Sequence, residues 1–122
     1  MRIKRDIINK FKEWKDAEKH KPILVKGARQ IGKTWAMEEF GRECFDYTAK
    51  FDFDRQKELL SAFTESKEPA RIIKELALYS QVPLVAGKTL LIFDEIQECE
   101  EALNSLKYFC EDAPEWHIIA AG

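Results

Sequence analysis

The chain has 122 residues, enough for one domain and too few for two. Hydrophobic residues make up 45% and charged residues 34%, an ordinary soluble globular balance. A formal net charge of −2 argues against a surface built mainly to attract nucleic acid or acidic membrane, although Lys and Arg are numerous enough for a local basic patch.

The N-terminus, MRIKRDIINKFKEWKDAEKHK, is charged throughout and has no apolar core of the secretory type. The longest apolar runs fall well short of a membrane span, so the expected location is the cytoplasm and no membrane contact is expected. Cys44, Cys99 and Cys110 are odd in number and far apart. With no C-x-x-C pair, and only His20 and His117 as histidines, they read as reduced thiols rather than a zinc site or disulfide framework.

In chain order, Ile7, Phe11 and Trp14 recur at helical spacing, which predicts an amphipathic helix from Ile3 to about Ala17. Pro22 punctuates the chain, and Ile23-Leu24-Val25 then reads as a short buried parallel strand. Gly27 to Gly32 reads as a loop, followed by a helix from Lys33 to about Glu43 with Trp35, Met37 and Phe40 free to pack. Phe45 to Phe53 largely alternates aromatic and polar residues and predicts a second strand.

Helical periodicity returns from Arg55 to Phe63 (Leu59, Leu60, Phe63) and from Pro69 to Tyr79 (Ile72, Ile73, Leu76, Tyr79). Pro69 suits a first helical turn, while Pro83 and Gly87 mark a turn. Thr89 to Asp94 is an apolar strand running into two acids. A helix from about Glu101 to Asp112 is expected to bury Leu103, Leu106, Phe109 and Cys110, with the acids of Glu98-Cys99-Glu100-Glu101 at its opening. Trp116 to Ala121 reads as a fourth strand. Strands alternating with helices imply an α/β domain with a parallel sheet.

Gly27-Ala28-Arg29-Gln30-Ile31-Gly32-Lys33-Thr34 matches G-x-x-x-x-G-K-[ST] at every fixed position. Glycines at 27 and 32 let the backbone bend around phosphate without a Cβ in the way. Successive backbone N–H groups then form an anion nest, reinforced by the helix N-terminus that follows. Lys33 is placed to reach the β and γ phosphates, and the Thr34 hydroxyl to take one magnesium position. An apolar strand before the loop and a helix after it supply the context that this chemistry needs.

Leu90-Leu91-Ile92-Phe93-Asp94-Glu95 delivers two carboxylates to the C-terminal end of a strand, where open α/β sheets bind ligands. Asp94 suits the magnesium role, directly or through a water. Glu95 suits a general base that activates the attacking water. A small-molecule kinase needs no water-activating carboxylate, so the pair points to ATP hydrolysis coupled to conformational work.

Together, PILVKGARQIGKTW, TLLIFDEIQECEEALNSLKYFCEDAPE and WHIIAAG resemble the prokaryotic AAA-type ATPases whose core is followed by a C-terminal domain of unknown function. The resemblance implies a P-loop NTPase three-layer α/β/α fold with strand order 1-4-3-2 and a fifth strand beyond strand 1. Residues 1–122 would then be the N-terminal part of such a domain, truncated before the fifth strand. It also implies phosphate binding by Gly27 through Thr34, magnesium binding by Asp94 and a catalytic base at Glu95, with ATP and Mg2+ as cofactors. Gln97 matches a family feature without an assigned role. The sensor residue, arginine finger, helical lid and C-terminal domain would lie outside these residues. Neither Arg29, inside the loop, nor Arg42 stands where a finger comes from.

An unpaired edge on the first strand would invite association with the remaining C-terminal portion, another chain or a second copy. Trp14 reads as core packing with an adenine contact as its alternative, and His117 as a core or edge histidine. Two other functions compete with hydrolysis: a nucleotide-gated switch with little turnover, and a DNA-handling ATPase, which the near-neutral charge does not favour. No N-K-x-D-like guanine motif stands in the chain.

Overall fold

The computed structural model describes residues 2–17, 21–25 and 31–122. In chain order these form α1 (Arg2–Asp16), β1 (Ile23–Val25), α2 (Ile31–Cys44), β2 (Tyr47–Asp52), α3 (Leu60–Thr64), α4 (Pro69–Ala77), β3 (Thr89–Asp94), α5 (Glu100–Asp112) and β4 (His117–Ala121). Short 3-10 turns at Lys57–Leu59 and Ile96–Glu98 precede α3 and α5. The four strands pair in parallel in the order β1-β4-β3-β2, as the resemblance implied.

Alternation along the central strands divides the interior into two cores, one on each face of the sheet. Leu91, Phe93, Ile118 and Ala120 face a core shared with Leu59 and Phe63 around α3, Ile72 and Leu76 of α4, and Phe109 of α5. Leu90, Ile92, Ile119 and Ala121 face the other, shared with Ile8 and Phe11 of α1 and Ala36, Met37 and Phe40 of α2. Helices on both faces of a parallel sheet make the three-layer α/β/α sandwich. β3 is buried along its whole length up to Asp94, as a central parallel strand must be.

Several faces differ from the sequence expectation by one position. In α5 the fully buried residues are Ala102, Ser105 and Phe109, whereas Leu103 is 37% exposed and Leu106 and Cys110 are half-buried. The small residues let the helix sit close to the sheet, and the Ser105 hydroxyl donates to the Ala102 carbonyl at 2.6 Å, so its burial leaves no polar group wanting. In α1, Ile8 is buried and Ile7 only half-buried. Trp35 in α2 is exposed and Ala36 is buried beside it, while Tyr79, after α4, is exposed and Leu76 is buried as expected. In each case several apolar residues satisfied the helical period, and only the neighbouring layer selects among them.

Trp14 packs into the core as read from the sequence. Its ring stands 6.2 Å from Phe40 and 5.3 Å from His117, and its indole N–H donates to the Lys21 carbonyl at 2.6 Å. That bond ties α1 to the lead-in of β1. Outside the core, Arg5 binds Glu43 with two hydrogen bonds and Lys12 adds an ion pair, joining α1 to α2.

Under the C-terminal end of β3 lies an aromatic cluster. Phe93 is fully buried with Phe53 at 5.6 Å, Phe63 at 5.8 Å and Phe51 at 6.1 Å, all in edge-on geometry. Because Phe93 precedes Asp94, the cluster fixes where that carboxylate emerges. Replacing Phe93 with Ala should cost about 3–5 kcal/mol of folding stability, read from the urea midpoint. A loss below about 1 kcal/mol would show that the cluster does not anchor the strand.

Candidate nucleotide site

Parallel pairing brings all four strand C-termini to one edge. The register aligns Val25, Ala121, Asp94 and Asp52 in a single row across β1, β4, β3 and β2. With strands about 4.8 Å apart, Asp94 lies about 10 Å from Val25. From Val25 the sequence continues into the glycine-rich octapeptide, and α2 begins at Ile31.

Of the octapeptide, Gly27, Ala28, Arg29 and Gln30 lie outside the described residues. Ile31, Gly32 and Lys33 begin α2, and Thr34 follows, half-buried. The helix therefore begins two residues earlier than the expected start at Lys33. An early start is physically apt, because first-turn N–H groups have no intrahelical acceptor and are open to an anion. The first turn of α2 carries no acidic side chain to compete for them.

Asp94 ends β3 with its side chain 14% exposed. Strand alternation puts it on the sheet face of Leu90 and Ile92, the face covered by α2. Its Oδ1 accepts the Glu95 N–H at 3.0 Å, and its Oδ2 stands 3.8 Å from the Lys50 ammonium. Burial pushes the Asp94 carboxyl above the usual range; Lys50 and the Glu95 N–H oppose that shift, and nearby Asp52 and Glu95 add to it. A buried anion offset only in part suits a site that gains a cation.

Glu95 takes the left-handed conformation, φ 56° and ψ 44°, and is the one non-glycine residue with positive φ among the described residues. That conformation is costly for a residue with a Cβ and is characteristic of functional positions. It turns the chain off the strand directly after Asp94, so that the 3-10 turn Ile96–Glu98 folds back with Ile96 buried.

Three neighbours were not picked out as site residues from the sequence. Lys50 of β2 bridges Glu38 of α2, at 3.3 Å, to Asp94. Its position was visible as a polar residue in an alternating strand, but its partners depend on strand order. Asp52, beside Asp94 in the row, spends its Oδ1 on the Asp54 and Arg55 N–H groups at 3.0 and 3.2 Å. It is thereby a turn-former rather than an open ligand. Gln97 donates from Nε2 to Glu95 Oε2 at 2.6 Å. Arg42, by contrast, is held by Glu39 at 2.5 and 2.7 Å.

A central parallel sheet, a glycine-rich sequence between its first strand and a helix, and an acidic strand end two strands away mark the P-loop nucleotide-binding class of α/β proteins. The chain belongs to the AAA domain family, whose model matches residues 19–122. Membership makes it a nucleotide-binding, ATPase-like module. No curated protein matches the chain. No helix among the described residues is long and apolar enough to cross a membrane.

The raised Asp94 carboxyl sets a stability test. An acid whose folded pKa lies above its unfolded value costs stability once ionised, and that cost disappears as pH falls through the folded value. Asp94→Asn should therefore be more thermally stable than the parent at neutral pH without nucleotide. The gap should close on acidification. A variant less stable at neutral pH would show that the carboxylate is well compensated as it stands.

Proposed function

We propose that this protein binds ATP with magnesium and hydrolyses it, coupling nucleotide state to conformational work. The observation that carries the reading is the single row at the sheet's C-terminal edge, in which Asp94, with Glu95 next in the chain, ends two strands from the one leading into GARQIGKT. Gly27 through Thr34 would cradle the phosphates with backbone N–H groups, and Lys33 would meet the β and γ phosphates.

The donor set fits magnesium by its chemistry. The Thr34 hydroxyl and the Asp94 carboxylate are hard oxygen ligands of the kind this ion takes, with substrate phosphates and water completing its shell. When bound, the ion neutralises charge on the β and γ phosphates. Glu95 would orient a water and take its proton as the water oxygen bonds to the γ-phosphorus. The bond from that phosphorus to the β–γ bridging oxygen breaks, and its electron pair leaves with ADP. Pairing of another chain, or of a second copy, along the β1 edge belongs to the same proposal, since among the described residues β4 is that strand's only strand partner.

Thermal unfolding with and without Mg-ATP tests the reading. At a hundredfold excess over Kd, a ligand bound only by the folded state adds about 2.7 kcal/mol. That gain should vanish in Lys33→Ala. Glu95→Gln should keep the gain and lose ATP turnover by about a hundredfold or more. A parent that gains nothing, or a Lys33→Ala variant that gains as much, would contradict the assignment. Turnover of a version extended past Gly122, compared with its Glu95→Gln variant, separates hydrolysis from a nucleotide-gated switch.

A further inference from the structure

Gln97 stands where three independent features meet. Its Nε2 donates to Glu95 Oε2 at 2.6 Å, and this orientation of the amide is the only one compatible with an ionised carboxylate, which can accept but not donate. Its backbone belongs to a turn tied back to the strand end: Glu98 N–H donates to the Glu95 carbonyl at 3.0 Å, and Cys99 N–H to the Ile96 carbonyl at 3.0 Å. Its amide oxygen lies against Gly122, where a Cβ would come within 2.2 Å of Gln97 Oε1. The Gly122 N–H in turn donates to the Val25 carbonyl at 3.2 Å.

We propose that Gln97 is the positioning residue of the Glu95 base, and that glycine at 122 gives its amide the room to do so. The proposal rests on the reading of Glu95 as the base. A glutamate at a strand exit loses rotamer freedom when it is held, and a bond to one oxygen supplies that restraint. Anchoring Oε2 leaves Oε1 to accept a hydrogen bond from water.

The same contact links two parts of the row. Gly122 follows β4 and is hydrogen-bonded to Val25, the last residue of β1, so Gln97 touches the point where β1 and β4 end together. A side chain at 122 would displace the Gln97 amide oxygen and so compete with the placement that holds Nε2 on Glu95. The position of the base is thereby tied to the strand that leads into the phosphate loop.

The test has a spectroscopic arm and a kinetic arm, both on this chain. In a proton–nitrogen correlation spectrum, the Gln97 side-chain amide of the parent should be displaced from the free glutamine position. Glu95→Ala and Gly122→Ala should each return it there. Gln97→Leu should lower single-turnover hydrolysis of γ-labelled ATP tenfold or more, with the affinity for ATP within twofold of the parent. A free-glutamine signal in the parent would overturn the proposal, without reference to turnover. So would turnover lost in Glu95→Gln but kept in Gln97→Leu, a result that leaves Glu95 as base. Turnover that survives Glu95→Gln would overturn the base assignment and the proposal together, and is a separate result.

Discussion

Parallel pairing allows no tight hairpin, so each strand must be followed by a crossover before the next can join the sheet. In this chain the crossovers carry helices to both faces, and the four strands finish side by side in the row Val25, Ala121, Asp94, Asp52. Everything chemical depends on that row. It sets Val25 and Asp94, far apart in sequence, only two strands from each other, with Ala121 between them. Two cores hold the row in place, since β3 and β4 are buried on both faces and cannot slip without turning their apolar sets outward.

Against that rigid frame the site is energetically unfavourable by itself. Asp94 is mostly buried beside other carboxylates, with the Lys50 ammonium at 3.8 Å as a partial counter-charge. Glu95 occupies backbone space that disfavours side chains. Neither feature helps the chain fold, and both make sense where a cation and a phosphate ester are to be received. The fully buried aromatic cluster around Phe93 supplies the packing that offsets them.

Much of the fold was legible because its signals are local. Ile23–Val25 and Thr89–Asp94 match their expected strands, and Pro69 opens α4 at the predicted residue. The α/β class followed from their alternation with helices, whereas the strand order came from the likeness of GARQIGKT and LLIFDEIQ to a family. Helix faces were less legible: Leu103 and Trp35 satisfy the helical period, yet the layer above them selects Ala102 and Ala36. Lys50 and Gln97 illustrate the remaining gap. Their partners, Asp94, Glu95 and Gly122, come within reach only through strand order and a left-handed turn, and neither is written in residue spacing.

Manganese in place of magnesium gives the most direct test that phosphates and metal meet at this edge, because the paramagnetic ion broadens the amide signals of nearby nuclei. With ATP present, the expected result is selective loss of the Lys33, Thr34, Asp94 and Glu95 signals while those of Leu78 and Tyr79 stay sharp. Loss centred elsewhere, for instance on the polar cavity lined by Gln56, Tyr79 and Gln81, would contradict the site. So would loss at Asp94 and Glu95 that is the same with and without ATP, since the phosphate loop would then have no part in holding the ion.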